Sequence, residues 1–307
     1  MWPQRCVSLK LTIEIILIFT SHVTSVKYSH KPHSVLCSQL TVFGDSLSDD
    51  GIEVDENSHG FVRNSNGPVW PEYLNKMLAC DKYVNYAHSG AKSGYDNVYF
   101  SGWSGVLWQI ESFLANSPAI PPGQLTSKTS FLTVPNSHFG FLYAELRDSL
   151  TILQSGGILD FLSGEDEEGP IIENISRAVL TLFNSINTGT IIVMNLADLS
   201  SAPGVRAVEN SDELSEKIAQ HVSTTNSKLS KTVFGKTRDV PIVGLFDLNT
   251  AVFDSSRRLN LTDPFTHHRA NTTWRHIYKY AYHDLWNPST FVHHAIAERL
   301  VKFLEDL

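Results

Sequence analysis

Positive charge is in short supply. The chain has 24 lysines and arginines against 32 aspartates and glutamates, a net charge of −8. No basic patch or stripe stands out, which excludes nucleic acid as a partner. Long apolar runs are also missing. The most apolar segment, "LTIEIILIFT" from Leu11 to Thr20, contains Glu14 and is well short of the roughly 20 residues that cross a bilayer. There is no internal repeat, and no linker is long enough to separate a pair of folded domains. Cysteine is scarce, with three in the chain.

What is present begins with the N-terminus. Arg5 and Lys10 precede that apolar segment, and the small and polar "SHVTS" follows it. A charged start, a short apolar run and a small-residue exit describe a secretory signal peptide over residues 1–25, a membrane anchor being the alternative. The expected location is therefore extracellular, with no membrane attachment once the signal is removed. Cys37 and Cys80 then remain, an even pair that reads as a disulfide or as two buried thiols. Asn174-Ile-Ser, Asn260-Leu-Thr and Asn271-Thr-Thr are sequons that fit an exported glycoprotein.

The body of the chain alternates strands and helices. "SQLTVFGDS", "KYVNYAHSG", "SHFGFLYAEL", "TIIVMNLADL" and "PIVGLFDL" read as strands. Helical spacing falls at Trp70–Leu78, Val106–Leu114, Ile171–Ile186 and from Asn210 onward, and a final helix is expected from Pro288 to about Leu304. Such alternation gives an α/β domain over 36–307 with a mostly parallel five-stranded sheet between two helical layers, flavodoxin-like. Ligands of open parallel sheets sit beyond the carboxyl ends of the strands.

Those ends carry chemistry. After the first strand, "FGDSLSDDG" holds Ser46 on a tight turn, a nucleophile's position or an ordinary turn cap. After the second, Gly90 in "YAHSGAKSG" either brings an N–H to an oxyanion or is a plain turn. Tyr95, Tyr99, Phe100 and Trp103 read as core packing or as a sugar-stacking rim.

"FGDSLSDDG" resembles block I of the GDSL esterases and lipases, also called SGNH hydrolases. "FVRNSNGPVWPEYL", "VNYAHSGAKSG", "IIVMNLADLSSAP", "GLFDLNTAVF" and "NPSTFVHHAIAERL" resemble, in order, segments of its secreted fungal members. Those are acetylesterases of the carbohydrate esterase family 16 type. The resemblance implies ester hydrolysis on acetyl or short acyl groups of plant polysaccharides, with no metal or organic cofactor. It assigns Ser46 as nucleophile, Asp284 as the acid that orients a histidine, and Ser46, Gly90 and an asparagine as oxyanion donors.

Two positions depart from the pattern. "AELRDS" (144–149) is aligned with the Gly-x-Asn-Asp motif, so Arg147 takes the asparagine's place, and Asn287 takes the histidine's. Loss of the base histidine costs on the order of 10⁶ in kcat in a serine protease. Loss of one oxyanion donor costs on the order of 10²–10³. The expectation is a weak hydrolase or an inactive one that binds a glycan or another extracellular partner. His88, His283 and His293 are the candidates to replace the base. Arg147 is expected to pair with an Asp284 left without its histidine. Locally, Asn287 reads as the N-cap of the last helix.

Overall fold

The computed structural model describes residues 37–51, 62–116, 149–186, 189–237, 243–267 and 278–307. Five strands form one sheet: β1 Gln39–Phe43, β2 Lys82–Asn85, β3 Ser149–Gln154, β4 Thr190–Met194 and β5 Val243–Phe246. Their order is β2-β1-β3-β4-β5 and every pair is parallel. The helices are α1 Trp70–Leu78, α2 Val106–Asn116, α3 Gly157–Leu162, α4 Glu168–Ser185, α5 Pro203–Arg206, α6 Ser211–Thr237, α7 Leu248–Ser256 and α8 Thr290–Glu305.

Period-two alternation along the strands supplies both faces of the sheet. Leu40, Val42, Leu150, Ile152, Ile192 and Met194 point to one face, where Trp70 and Leu74 of α1, Val252 of α7, and Val292, Ile296 and Leu300 of α8 pack. Phe43, Leu153, Ile191 and Val193 point to the other, against Ile110 of α2 and Ile171, Ile175 and Leu182 of α4. The three-layer α/β/α arrangement is therefore as the alternation of elements implies.

The third strand is not where its sequence pattern placed it. "SHFGFLYAEL" lies outside the described residues, and the strand between β1 and β4 is "SLTILQ", 149–154. Its register is direct, with Phe43 opposite Leu153. The loop at its carboxyl end is accordingly Ser155-Gly156-Gly157.

Cys37 and Cys80 form a disulfide. It ties the entry of β1 to the end of α1, where Asp81 N–H also donates to the Cys37 carbonyl. A third apolar cluster of Ile158, Leu196, Ile218, Val222 and Tyr282 sits among α3, α6 and the loops beyond β4 and β5. It forms the floor beside the carboxyl edge of the sheet.

Candidate active site

The β1–α1 loop is held from two sides by buried glutamine side chains. Gln109 Oε1 accepts the Gly44 N–H at 2.9 Å, and its Nε2 donates to the carbonyls of Gly44 and Ser104, both at 2.8 Å. Gln154, the last residue of β3, accepts the Asp45 N–H at 2.8 Å and donates to Asp45 Oδ2 at 2.9 Å. The clamp substitutes for ladder hydrogen bonds where the strand ends, so the turn that follows has a fixed exit direction. Burial pushes the Asp45 carboxyl up from its ordinary value, partly offset by the bond from Gln154.

Ser46 comes next, half-buried, with no hydrogen-bond partner for its hydroxyl or its N–H among the described residues. Gly90 N–H is likewise free among them. Gly90 has φ +86, and a Cβ there would stand 2.5 Å from Asn97 Oδ1, so the position needs glycine. Asn97 fixes this loop by donating to the Ser89 carbonyl at 2.9 Å and to Ser104 Oγ at 2.9 Å.

Asp284 is the hub of the loop before α8. Its Oδ1 accepts the N–H groups of Trp286 at 2.8 Å and Asn287 at 2.7 Å. The Asn287 side chain adds Nδ2 at 3.1 Å from Oδ1 and 3.0 Å from Oδ2. The Asn287 carbonyl accepts the His283 N–H at 2.8 Å, which closes the turn. Asn287 is thus not the helix cap. Pro288 bridges to Tyr282, α8 starts at Thr290, and the residue at its N-cap is Ser289. The bridge between residues 282 and 288 delays the helix by two positions, and the Asn287 side chain donates its Nδ2–H to Asp284 instead.

Ser46, Gly90, Asp284 and Asn287 line one cleft of about 860 Å³ at the carboxyl edge of the sheet. Arg147 lies outside the described residues. The residues that reach the cleft from β3 are Gln154, Ser155 and Gly157. Gln154 has both amide atoms engaged with Asp45. A Cβ on Gly157 would meet Ile171 Cγ2 at 2.6 Å, so no larger side chain fits there. The third-strand loop therefore offers no free side-chain amide. Asp284 has three donors from its own loop, and the expected pairing with Arg147 falls outside the described residues.

None of the described residues lining the cleft is a histidine. His88 is 6% exposed, donates Nδ1–H to the Tyr86 carbonyl at 2.9 Å, and packs edge-on to Trp103 and Trp108. Burial lowers its pKa. His283 is half-buried with Nδ1 unpartnered, and burial lowers its pKa too. His293 is fully buried on α8 with both ring nitrogens unpartnered, and burial, with His283 nearby, takes its pKa down to about 3. His88 and His293 are buried in packing, and His283 is half-buried.

Of the sequons, Asn174 sits within α4 and its amide donates to Ser93 Oγ at 3.1 Å; Asn260 donates to Asp263 at 3.3 Å; Asn271 lies outside the described residues. Trp103 packs as expected of an aromatic. Tyr99 is 74% exposed at the cleft rim. Sequence reasoning missed the two clamping glutamines, which no local pattern marks, and the apolar wall of the cleft.

The GDSL-like lipase/acylhydrolase family model matches residues 40–300. No curated protein sequence matches the chain. Among solved structures, an inhibitor-bound aryl esterase of M. smegmatis aligns at 12% identity and TM-score 0.48, covering 88% of this chain and all of its own. A family two carbohydrate esterase of Cellvibrio japonicus aligns at 15% and 0.42, over 89% of this chain and 62% of its own. A carbohydrate esterase whose active site is described as having divergent catalytic and non-catalytic binding functions aligns at 14% and 0.42, over 88% and 65%. This chain thus spans just under two thirds of those two carbohydrate esterases. With a family match that takes in the strands, the Ser46 turn and the Asp284 loop, the chain belongs to the GDSL-like lipase/acylhydrolase family.

Proposed function

We propose that this protein binds an acyl ester in the Ser46 cleft and hydrolyses it weakly or not at all, because asparagine stands in the base position. The observation that carries this is the Asn287 amide on Asp284, in the same cleft as Ser46. A histidine there would take the serine proton while the carboxylate steadied its other nitrogen. The asparagine nitrogen lone pair is delocalised into the carbonyl, so it takes no proton at neutral pH.

The remaining features support ester binding. Among the described residues the Ser46 hydroxyl is free, and the N–H groups of Ser46 and Gly90, free among them too, are two donors suited to a carbonyl oxygen. Without a base, serine is a poor nucleophile, and the loss is on the order of 10⁶ in kcat. The signal-like N-terminus and the Cys37–Cys80 disulfide support an extracellular setting. Acyl esters of plant polysaccharides are the substrate or ligand class that the sequence resemblance favours. The test is release of p-nitrophenol from p-nitrophenyl acetate by pure protein beside Ser46→Ala. The expected result is no serine-dependent rate above a low residual; robust turnover that vanishes in Ser46→Ala would overturn the inactive-site reading.

A further inference from the structure

The fold treats its two described Asn-x-Ser/Thr tripeptides in opposite ways. Asn174, Ile175 and Ser176 lie on α4, where Ile175 is 1% exposed and Ser176 Oγ is closed off from solvent. The Asn174 amide donates to Ser93 Oγ at 3.1 Å, and a Cβ on Gly94 would stand 3.2 Å from the same nitrogen. Ser93 and Gly94 thus crowd the atom to which a sugar would be joined. Ser93 is itself fixed, since Asp160 accepts its N–H at 2.7 Å and its hydroxyl at 3.1 Å.

Asn260, Leu261 and Thr262 form a turn at the surface instead. Asn260 Oδ1 accepts the N–H groups of Thr262 at 2.9 Å and Asp263 at 3.2 Å, an Asx turn, and Thr262 and Asp263 are exposed. The Asn260 backbone anchors it: its N–H donates to the Lys279 carbonyl at 2.8 Å and its carbonyl accepts the Ala281 N–H at 3.0 Å. Among the described residues, Asn260 Nδ2 meets only the exposed Asp263 carboxylate, at 3.3 Å. An amide nitrogen carries two hydrogens, so one bond to a sugar leaves an N–H for Asp263.

We propose that Asn260 is the N-glycan acceptor of the folded protein and that Asn174 stays bare, given the extracellular setting proposed above. The donor is a lipid-linked oligosaccharide pyrophosphate of the secretory pathway. The sugar C1–O bond to pyrophosphate breaks, a C1–N bond forms at Nδ2, and the amide nitrogen gives up one proton. Transfer precedes folding, so the folded geometry acts as the filter. A bulky sugar on Asn174 would have to part α4 from Ser93 and Gly94, and with them from the loop that carries Gly90. A sugar on Asn260 projects from an exposed turn and leaves the backbone anchors in place.

The test uses the full chain preceded by a cleavable secretory signal and made in eukaryotic cells. N-glycans are removed from the folded protein enzymatically in heavy-oxygen water, which turns each glycosylated asparagine into a labelled aspartate, and the peptides are weighed by mass spectrometry. The label is expected at Asn260 and absent from Asn174. Thr262→Ala removes the acceptor tripeptide but keeps the N–H of the turn, and it should lower the protein's mass by one glycan; Ser176→Ala should lower it by none. An unlabelled Asn260, or a labelled Asn174 in the folded protein, would overturn the proposal. The chain with only its own N-terminus is run in parallel. If it alone stays unglycosylated, the extracellular reading fails while the assignment of Asn260 stands.

Discussion

Asn287 presents its amide nitrogen to both oxygens of Asp284, at 3.1 and 3.0 Å. The contact reproduces the pairing a histidine would make with this acid, donor to carboxylate, and stops there. The acid also receives two backbone N–H groups from its own turn. The carboxylate therefore shapes the loop whether or not chemistry follows.

The glutamine clamp makes a stability prediction. Gln109→Leu removes the acceptor of the buried Gly44 N–H and a donor to the Ser104 carbonyl, while the Gly44 carbonyl keeps the His88 N–H. Buried unpaired groups cost about 1–3 kcal/mol each, softened by relaxation, so a loss of about 2–4 kcal/mol is expected in urea unfolding. Gln154→Leu, which strips Asp45 of its N–H acceptor and its amide donor, should lose a similar amount. Unfolding midpoints unchanged in both variants would show that neither glutamine holds the turn.

Much of this was legible in the sequence, and the exceptions have physical causes. β1, β2, β4 and β5 read correctly because each is a compact apolar run that ends in turn residues. β3 did not, because the aromatic run from His138 to Leu146 outweighs the modest "SLTILQ" on hydropathy. Strand pairing with β1 and β4, a tertiary fact, decides the latter. The loop at the carboxyl end of β3 is consequently the one after Gln154. Asn287 before Pro288 has the local signature of a cap, and a bridge from Pro288 back to Tyr282 overrides it. The histidines are named by sequence, but only the folded chain shows that His88, His283 and His293 are not among the described residues lining the cleft.

His293 sets an acid limit. Its folded pKa is about 3, against 6.5 for an exposed imidazole. Between those values the unfolded chain holds a proton that the folded one does not. Stability is thus fully present above about pH 6.5 and falls as pH drops, by up to about 1.4 kcal/mol per pH unit from this group. His293→Leu should flatten the difference in unfolding free energy between pH 7 and pH 4.5. An identical pH slope in wild type and variant would contradict the assignment.

The disulfide closes a sequence separation of 43 residues. Chain-entropy reasoning gives it about 4 kcal/mol. Cys37→Ser with Cys80→Ser should lower the urea midpoint accordingly, and reductant should shift wild type but not the double variant. Equal response of both proteins to reductant would assign the effect elsewhere.

The central claim is that one side chain, Asn287 in the base position, is the main reason the Ser46 cleft turns over esters weakly or not at all. It is tested most directly by the initial rate of p-nitrophenyl acetate hydrolysis in Asn287→His beside wild type. The account predicts a rise of at least about 10² that is abolished by adding Ser46→Ala, since a base is worth on the order of 10⁶ in a fully formed triad. A wild-type rate already equal to that of Asn287→His, and equally dependent on Ser46, would contradict it.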